Sequence, residues 1–265
     1  MLVPSDSEST IPEPTPVIRT MQDAELEAVA NVFAKAFFHD SSTAYVFGLE
    51  RPPPNVGNIS DPDGLRLLRR TRRYNRTLLS TIRRSGGEID VVVVPGEDDG
   101  PECIVGAAAW LKPGGTRDPL VLNALFPGTA RVLVNLLRSL GPSGLKRELK
   151  DYGSKLGRAT EAVFRAHCRD QSDSWYLYRI GIDPESTGKG YGSLLMRYGF
   201  QRASSMPIHL EATSAKSRDI YFRLGFVVET ECRFGVGEVT SQGIKAKGQE
   251  EADGHIEWIM VKWGA

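Results

Sequence analysis

Ile180-Gly181-Ile182-Asp183-Pro184, followed by Gly188-Lys189-Gly190-Tyr191-Gly192-Ser193, decides how this chain is read: an apolar strand runs into a glycine-rich turn that opens a helix. Alternating glycines let successive backbone N–H groups point into one concavity, and the helix beyond them adds the positive end of its dipole to the same spot. Such an arrangement binds phosphate. A second stretch, Tyr221-Phe222-Arg223-Leu224-Gly225-Phe226, begins 29 residues after Gly192, beyond one predicted helix and one predicted strand. Other phosphate motifs do not fit. No Gly-x4-Gly-Lys-Ser/Thr pattern is present, and Ser193 stands where a dinucleotide fingerprint would place its third glycine.

Outward from this turn, strand character runs from Ser174 to Ile182, with Trp175, Leu177, Arg179 and Gly181 expected on one face and Tyr176, Tyr178, Ile180 and Ile182 on the other. Tyr191, Leu194, Leu195 and Tyr198 mark one side of the helix after the turn. Strands are predicted over Pro207 to Thr213, Phe226 to Phe234 and His255 to Trp263, with a helix over Ser214 to Leu224 that Gly225 ends. Earlier in the chain, apolar residues at threes and fours from Gln22 to Phe38 predict a helix, and a second spans about Gly64 to Arg84. Glu88 to Pro95 and Glu102 to Lys112 read as a hairpin. A helical insert is expected around 119–170, broken at Gly141-Pro142-Ser143-Gly144, and a flexible loop around 235–254. Residues 1–16, rich in Pro, Ser, Thr and acid, are expected to form a disordered tail ahead of a single domain over 17–265. The order of elements implies an α/β protein of α+β type, a mixed sheet with helices on both faces.

The 265 residues include 33 basic and 33 acidic ones, so net charge offers no reason to expect nucleic acid or a membrane surface as partner. Arg66, Arg69, Arg70, Arg72, Arg73, Arg76, Arg83 and Arg84 crowd one predicted helix, but with only Tyr74 among them the cluster reads as a solvated face that pairs with acidic loops. Cys103, Cys168 and Cys232 lack disulfide or CxxC spacing and are expected to be buried free thiols. His39, His167, His209 and His255 lack metal-ligand spacing, so no metal is expected. The longest uncharged apolar run, Cys103 to Leu111, is nine residues against the ~20 of a membrane-spanning helix. Met1 to Glu8 lacks the basic and apolar regions of a secretion signal, so a cytoplasmic location, compatible also with the nucleus, is expected.

The glycine turn after Ile180-Gly181-Ile182-Asp183-Pro184, paired with Tyr221 to Phe226, resembles the GNAT N-acetyltransferase superfamily, firmly over about Trp175 to Phe226 and in element order over 18–263. The Trp175-Tyr176-Leu177 segment and the helical insert are similar to the puromycin N-acetyltransferase-like branch. The resemblance implies a mostly antiparallel sheet in which two central strands splay apart to admit acetyl-CoA. It assigns the pantetheine arm to Ile180, Gly181 and Ile182, and the pyrophosphate to Gly188, Lys189, Gly190, Tyr191, Gly192 and Ser193. Two positions depart from the family pattern. Thr187 replaces a Gln or Arg, removing a polar reach worth about 1 kcal/mol, and Ser217, assigned to the cofactor, stands where relatives often carry Asn.

Acetyl transfer from a thioester to an amine needs a neutral amine, a polarised carbonyl and a protonated leaving thiolate. A phenol of pKa ~10 can donate to a thiolate whose thiol has pKa ~8.5, which makes Tyr221 the candidate acid. Its plain alternative is a core tyrosine with a satisfied hydroxyl. Glu211, between Leu210 and Ala212 on the strand before that helix, is the candidate base, against the alternative of an edge or salt-bridged glutamate. Asp183 reads as a turn former before Pro184, and Asp40 as a helix-end residue that could line an acceptor pocket with His39 and Tyr45. The expected function is transfer of acetyl from acetyl-CoA to a small-molecule amine by direct attack in a ternary complex. Acetylation of a protein lysine or N-terminus, and a non-catalytic acyl-CoA sensor, are the alternatives. Oligomeric state is not encoded legibly.

Overall fold

The computed structural model describes residues 15–96, 100–114 and 129–264. Residues 1–14 of the expected tail and 119–128 of the expected insert lie outside the described residues. Strands β1 (Val17–Thr20), β2 (Glu88–Val94), β3 (Cys103–Leu111), β4 (Trp175–Ile182), β5 (Ile208–Ala212), β6 (Val227–Phe234) and β7 (His255–Lys262) form one sheet in the order β1-β2-β3-β4-β5-β7-β6. Every neighbouring pair is antiparallel except β4 and β5. The sheet is therefore the mixed, mostly antiparallel one expected. The edge strand β1, four residues long, is too short to show in the sequence pattern.

Helices α1 (Leu26–Ala36), α2 (Ser41–Phe47), α3 (Pro62–Arg84), α4 (Thr129–Lys146), α5 (Ser154–Ala166), α6 (Tyr191–Ala203) and α7 (Ala215–Arg223) pack on both faces. A π-helical stretch, Arg147–Gly153, joins α4 to α5, and Gly141, at φ +73°, breaks α4 beside Pro142. On one face α6 and α7 cover Trp110, Leu177, Leu195, Leu210 and Phe226. On the other, α1 and α3 cover Phe33, Leu79, Val91 and Ala107, while Phe47, Leu136 and Phe164 from α2, α4 and α5 meet Phe234 and Ile259. Each buried Leu or Phe contributes about 1.5–3 kcal/mol of transfer free energy, so both faces of the sheet are well anchored.

Helix α2 lies between the helices expected over Gln22 to Phe38 and Gly64 to Arg84, where the sequence pattern predicts no further helix. Asp40 caps it, its carboxylate accepting from the amides of Ser42 and Thr43, and Gly48 closes it at φ +66°. These are the ordinary start and stop signals, compressed into a helix too short to show periodicity. The 235–254 segment holds no strand and no α-helix, yet it is tied down: Lys245 N donates to Leu49 O, Gly254 N to Val239 O, and Val239, Ile244 and Ala252 are buried. Cys232 is in the core as expected, whereas Cys103 and Cys168 are exposed. Of the arginines on α3, Arg83 pairs with Asp23 and Arg76 with Glu27, and Arg70 Nε donates to Ser139 O at 2.7 Å. Among the described residues no helix is long and apolar enough to cross a membrane.

Strand β4 departs from simple alternation. Against β3, Arg179 is opposite Ala109 while Leu177 is opposite Trp110, so Tyr178 is an extra residue, a β-bulge. The two faces expected along β4 therefore exchange halfway. Trp175 and Leu177 share a cluster with Ile180 and Ile182 beneath α6. Arg179 instead stacks on Phe37, 4.4 Å from its ring centre, and Gly181 lies against α1, where an added Cβ would come within 2.9 Å of Ala36 Cβ.

Candidate active site

β4 and β5 pair only at Trp175–Ile208 and Tyr176–His209. Beyond that point the strands part, and a cavity of about 410 Å³ opens between them. Its β4 wall runs from Tyr176 to Ile182, its β5 wall carries His209 and Glu211, and Thr187, Thr213, Ser217 and Tyr221 border it. Backbone groups on this edge of β4 have no strand partner, so they are available to an extended ligand.

The turn after β4 arises from local chemistry. Asp183 caps the Pro184–Ser186 turn through Glu185 N and pairs with Lys35 Nζ at 2.9 Å, the turn-forming part expected of it. Gly188 and Gly190 adopt φ of +85° and +78°, which favours glycine at both. Gly192 has no such requirement: it lies in the first turn of α6, with Ile182 Cγ1 3.9 Å from an added Cβ. Gly188, Lys189 and Gly190 are exposed. Helices α2, α3 and α7 begin with side-chain caps from Asp40, Asp61 and Ser214, but α6 begins at Gly190 with none. The first amides of α6 thus face solvent unpaired, with the dipole behind them. Such a terminus offers unpaired amides and a positive dipole end to an anion.

Residues 156–226 match the model described as the Acetyltransferase (GNAT) family. Over that stretch the chain is similar to the GNAT family. An uncharacterized N-acetyltransferase of Schizosaccharomyces pombe is 29% identical over 126 residues, which cover 47% of this chain and 48% of that protein, so the match spans about half the length of the curated relative. Among solved structures, a histone acetyltransferase HPA2 and related acetyltransferase from Corynebacterium glutamicum superposes with a TM-score of 0.53 at 23% identity, covering 94% of this chain and 97% of that one. Arylalkylamine N-acetyltransferase 2 from Aedes aegypti gives 0.51 at 16% identity, covering 94% and 98%. The Drosophila melanogaster polyamine N-acetyltransferase gives 0.50 at 18% identity, covering 93% and 98%. At these identities the shared property is the GNAT fold.

Tyr221 and Glu211 reach the same cavity from α7 and β5. The Tyr221 hydroxyl makes no hydrogen bond to a described residue, and burial pushes its pKa above the ordinary phenol value, so it stays protonated. Glu211 accepts from Tyr176 Oη at 2.6 Å, and Tyr176 in turn stacks on His209 at 4.5 Å. Burial pushes Glu211 up to about 8, against the opposing hydrogen bond from Tyr176. It stands where β5 has parted from β4 and is paired only with β7, and among the described residues it forms no ion pair. Ser217 lines the cavity, but its hydroxyl is engaged with Ser214 in the capping box of α7. Asp40 also lines it and accepts from Thr213 Oγ1 at 2.5 Å, while His39 and Tyr45 do not line it.

Sequence reasoning missed Glu257, Tyr152, Glu148 and Tyr176. Glu257, only 1% exposed, accepts from Tyr152 Oη, and burial pushes it too up to about 8. Tyr74 Oη donates to Glu148 at 2.6 Å. A signal for Glu257 existed: it falls in step with Ile259 and Val261 on a strand whose other face is half-buried. Among the described residues no group of three or more His, Cys, Asp or Glu is placed to hold a metal ion.

Proposed function

We propose that this chain is an acetyl-CoA-dependent N-acetyltransferase that acetylates an amine of a small molecule by direct attack in a ternary complex. The observation that carries this reading is one cavity bordered by a free strand edge, a buried carboxyl and an unengaged phenol, with the uncapped terminus of α6 following Thr187 of its lining in the chain. Acetyl-CoA would supply an activated acyl group, held by the amides of Tyr191 to Ser193 and by the open edge of β4 at Ile180 to Ile182. Glu211 accepts the proton of the attacking ammonium, directly or through water, as the nitrogen–carbon bond forms and the carbon–sulfur bond breaks. Tyr221 donates its proton to the departing sulfur and is reprotonated by the second proton that the nitrogen sheds as the amide forms, so the one proton released overall leaves from Glu211 to solvent. The bulge at Tyr178 turns the polar side chain of Arg179 towards α1 and leaves Ile180 and Ile182 on the opposite face.

A small acceptor suits a space of about 410 Å³ that must also take the end of the pantetheine arm, with Tyr152 and Leu156 of the insert closing one side. Two of the structural neighbours bear names of amine acetyltransferases, in keeping with this acceptor class.

Calorimetric titration with acetyl-CoA, followed by a panel of small amines with thiol release monitored, tests the reading. Acetyl-CoA binding with amine-dependent thiol release is expected. Tyr221→Phe should lower kcat by about a hundredfold, the lower range of acid–base catalysis, with acetyl-CoA affinity nearly unchanged. Binding without release for any amine would replace this reading with an acyl-CoA sensor or a protein acceptor. Unchanged kcat in Tyr221→Phe would remove Tyr221 as the acid.

A further inference from the structure

The acceptor side of the cavity holds more acid than one amine needs. Among the described residues lining it, Asp40, Glu148, Glu211 and Glu257 are opposed by Arg179 as the basic side chain. Their situations differ. Asp40 is occupied in capping α2 and in accepting from Thr213, and Glu148 takes the Tyr74 hydroxyl. Arg179 is committed towards α1 and α3, bonded to Asn75 Oδ1 and stacked on Phe37. Glu211 and Glu257 line the cavity, each accepting from a tyrosine hydroxyl, with His255 Nε2 also 3.7 Å from Glu257, and no lysine or arginine among the described residues forms an ion pair with either. His255, beside Glu257 on the far side of Tyr152, is pushed down to about 4 by burial and so brings no positive charge at neutral pH.

Their spacing is set by the sheet. Glu211 stands opposite Ile259 across the antiparallel β5–β7 pair, and Glu257 lies two residues from Ile259 on the same face. Diagonal neighbours of this kind have backbones about 7–8 Å apart, a span that a short methylene chain can cover, and the charge of Glu257 is felt at Glu211. Two buried carboxyls this close repel once ionised, and burial without a counter-ion is costly. A ligand carrying one cation for each relieves both penalties.

We propose that the acceptor carries two amino-type cations, a short α,ω-diamine or a compound presenting that unit, with Glu211 receiving the nitrogen that is acetylated and Glu257, oriented by Tyr152, holding the second. This rests on the acetyltransferase reading above and adds Glu257 as the residue that sets acceptor specificity. The cation at Glu257 aligns the chain so that the other nitrogen meets the acyl carbon, which places the gain mainly in KM.

The test measures thiol release from acetyl-CoA by the full chain with a series of α,ω-diamines and the matching n-alkylamines. The diamines should exceed the alkylamines in kcat/KM by about a hundredfold, the size of one charge-assisted hydrogen bond in a buried site. Glu257→Gln keeps an acceptor for the Tyr152 hydroxyl but not the charge. It should collapse the diamine-to-alkylamine ratio to within about threefold of unity, chiefly by raising KM for the diamine. Glu257→Asp should retain the preference but move its optimum to a longer diamine, an outcome a merely structural role would not produce. Acetyl-CoA affinity of each variant certifies the fold. Parity between diamines and alkylamines in the wild-type protein, a preference kept in Glu257→Gln, or better turnover of amino acids that could meet Arg179 would each overturn this inference and leave the transferase standing. Absence of thiol release with every amine would overturn the transferase reading and this inference with it.

Discussion

The two sides of the cavity are built from different materials. On the side proposed for the acyl donor the available groups are backbone: the unpaired edge of β4 after Tyr176 and the uncapped first turn of α6 behind Gly188 and Gly190. On the acceptor side they are side chains gathered from distant parts of the chain, with Glu211 on β5 paired to Tyr176 on β4 and Glu257 on β7 paired to Tyr152 in the π-helical stretch. A site made of backbone constrains which residues can stand there through dihedrals and steric room, and so leaves glycines in a fixed local pattern. One made of buried acids constrains charge, and its partners are brought together only by the tertiary fold.

The contrast is sharpest where one carboxyl is removed. Glu211→Gln should lower kcat by about a thousandfold, within the range for loss of a general base, while leaving acetyl-CoA affinity close to wild type. The pH profile supplies an independent check. With Glu211 pushed up to about 8, the neutral form dominates below that value and cannot accept a proton. Activity of the wild-type enzyme should therefore rise as pH increases through about 8, and the residual activity of the Gln variant should lose that limb. A profile with the same limb in both proteins would assign the titration to another group.

Damage to the donor side should separate from this cleanly. Gly190→Val forces a β-branched residue into φ +78°, a strain of about 1–3 kcal/mol, and displaces the amides of the turn. Acetyl-CoA affinity should fall by up to about a hundredfold. Gly192 has ordinary helical surroundings, so Gly192→Ala should be far milder. Equal losses at the two positions, measured by calorimetry on folded protein, would mean that the turn works by openness rather than by dihedral choice.

The same contrast governs how much of the molecule is legible in its sequence. The glycine turn can be read because it leaves a local mark, glycines at positions that adopt positive φ, whereas the parting strands and the place of Tyr221 come from the family resemblance. The sheet class and most of its strands emerge from periodicity. The features that escape have no local mark. The bulge at Tyr178 inserts one residue into an otherwise regular strand, and an alternating pattern offers no reason to place it at Tyr178 rather than a neighbour. Helix α2 is too short for a periodic stripe. Glu257 and Tyr152, 105 residues apart, meet only because β7 and the π-helical stretch pack around the same opening. Glu211 stands out by its apolar flanks, but its partner Tyr176 reads as one face of a strand and nothing more.

Tyr176→Phe tests whether such a tyrosine tunes its carboxyl or merely fills space, and its effect should be the smallest of these. The hydroxyl donates to Glu211 and favours the ionised form, so it works against the rise that burial causes. Removing it should raise the pKa of Glu211 further. One hydrogen bond of about 1 kcal/mol corresponds to somewhat under one pH unit, so the ascending limb of the rate profile should move to higher pH by about that amount. At neutral pH the fraction of Glu211 in the basic form, and with it the rate, should drop by less than about tenfold, whereas at high pH the variant should approach wild-type turnover. Recovery at high pH is the discriminating result, because a tyrosine that only positioned the acceptor would lower the rate equally at every pH. The ring itself remains in the Phe variant to stack on His209, which keeps the cavity wall in place and confines the change to the proton held by Glu211.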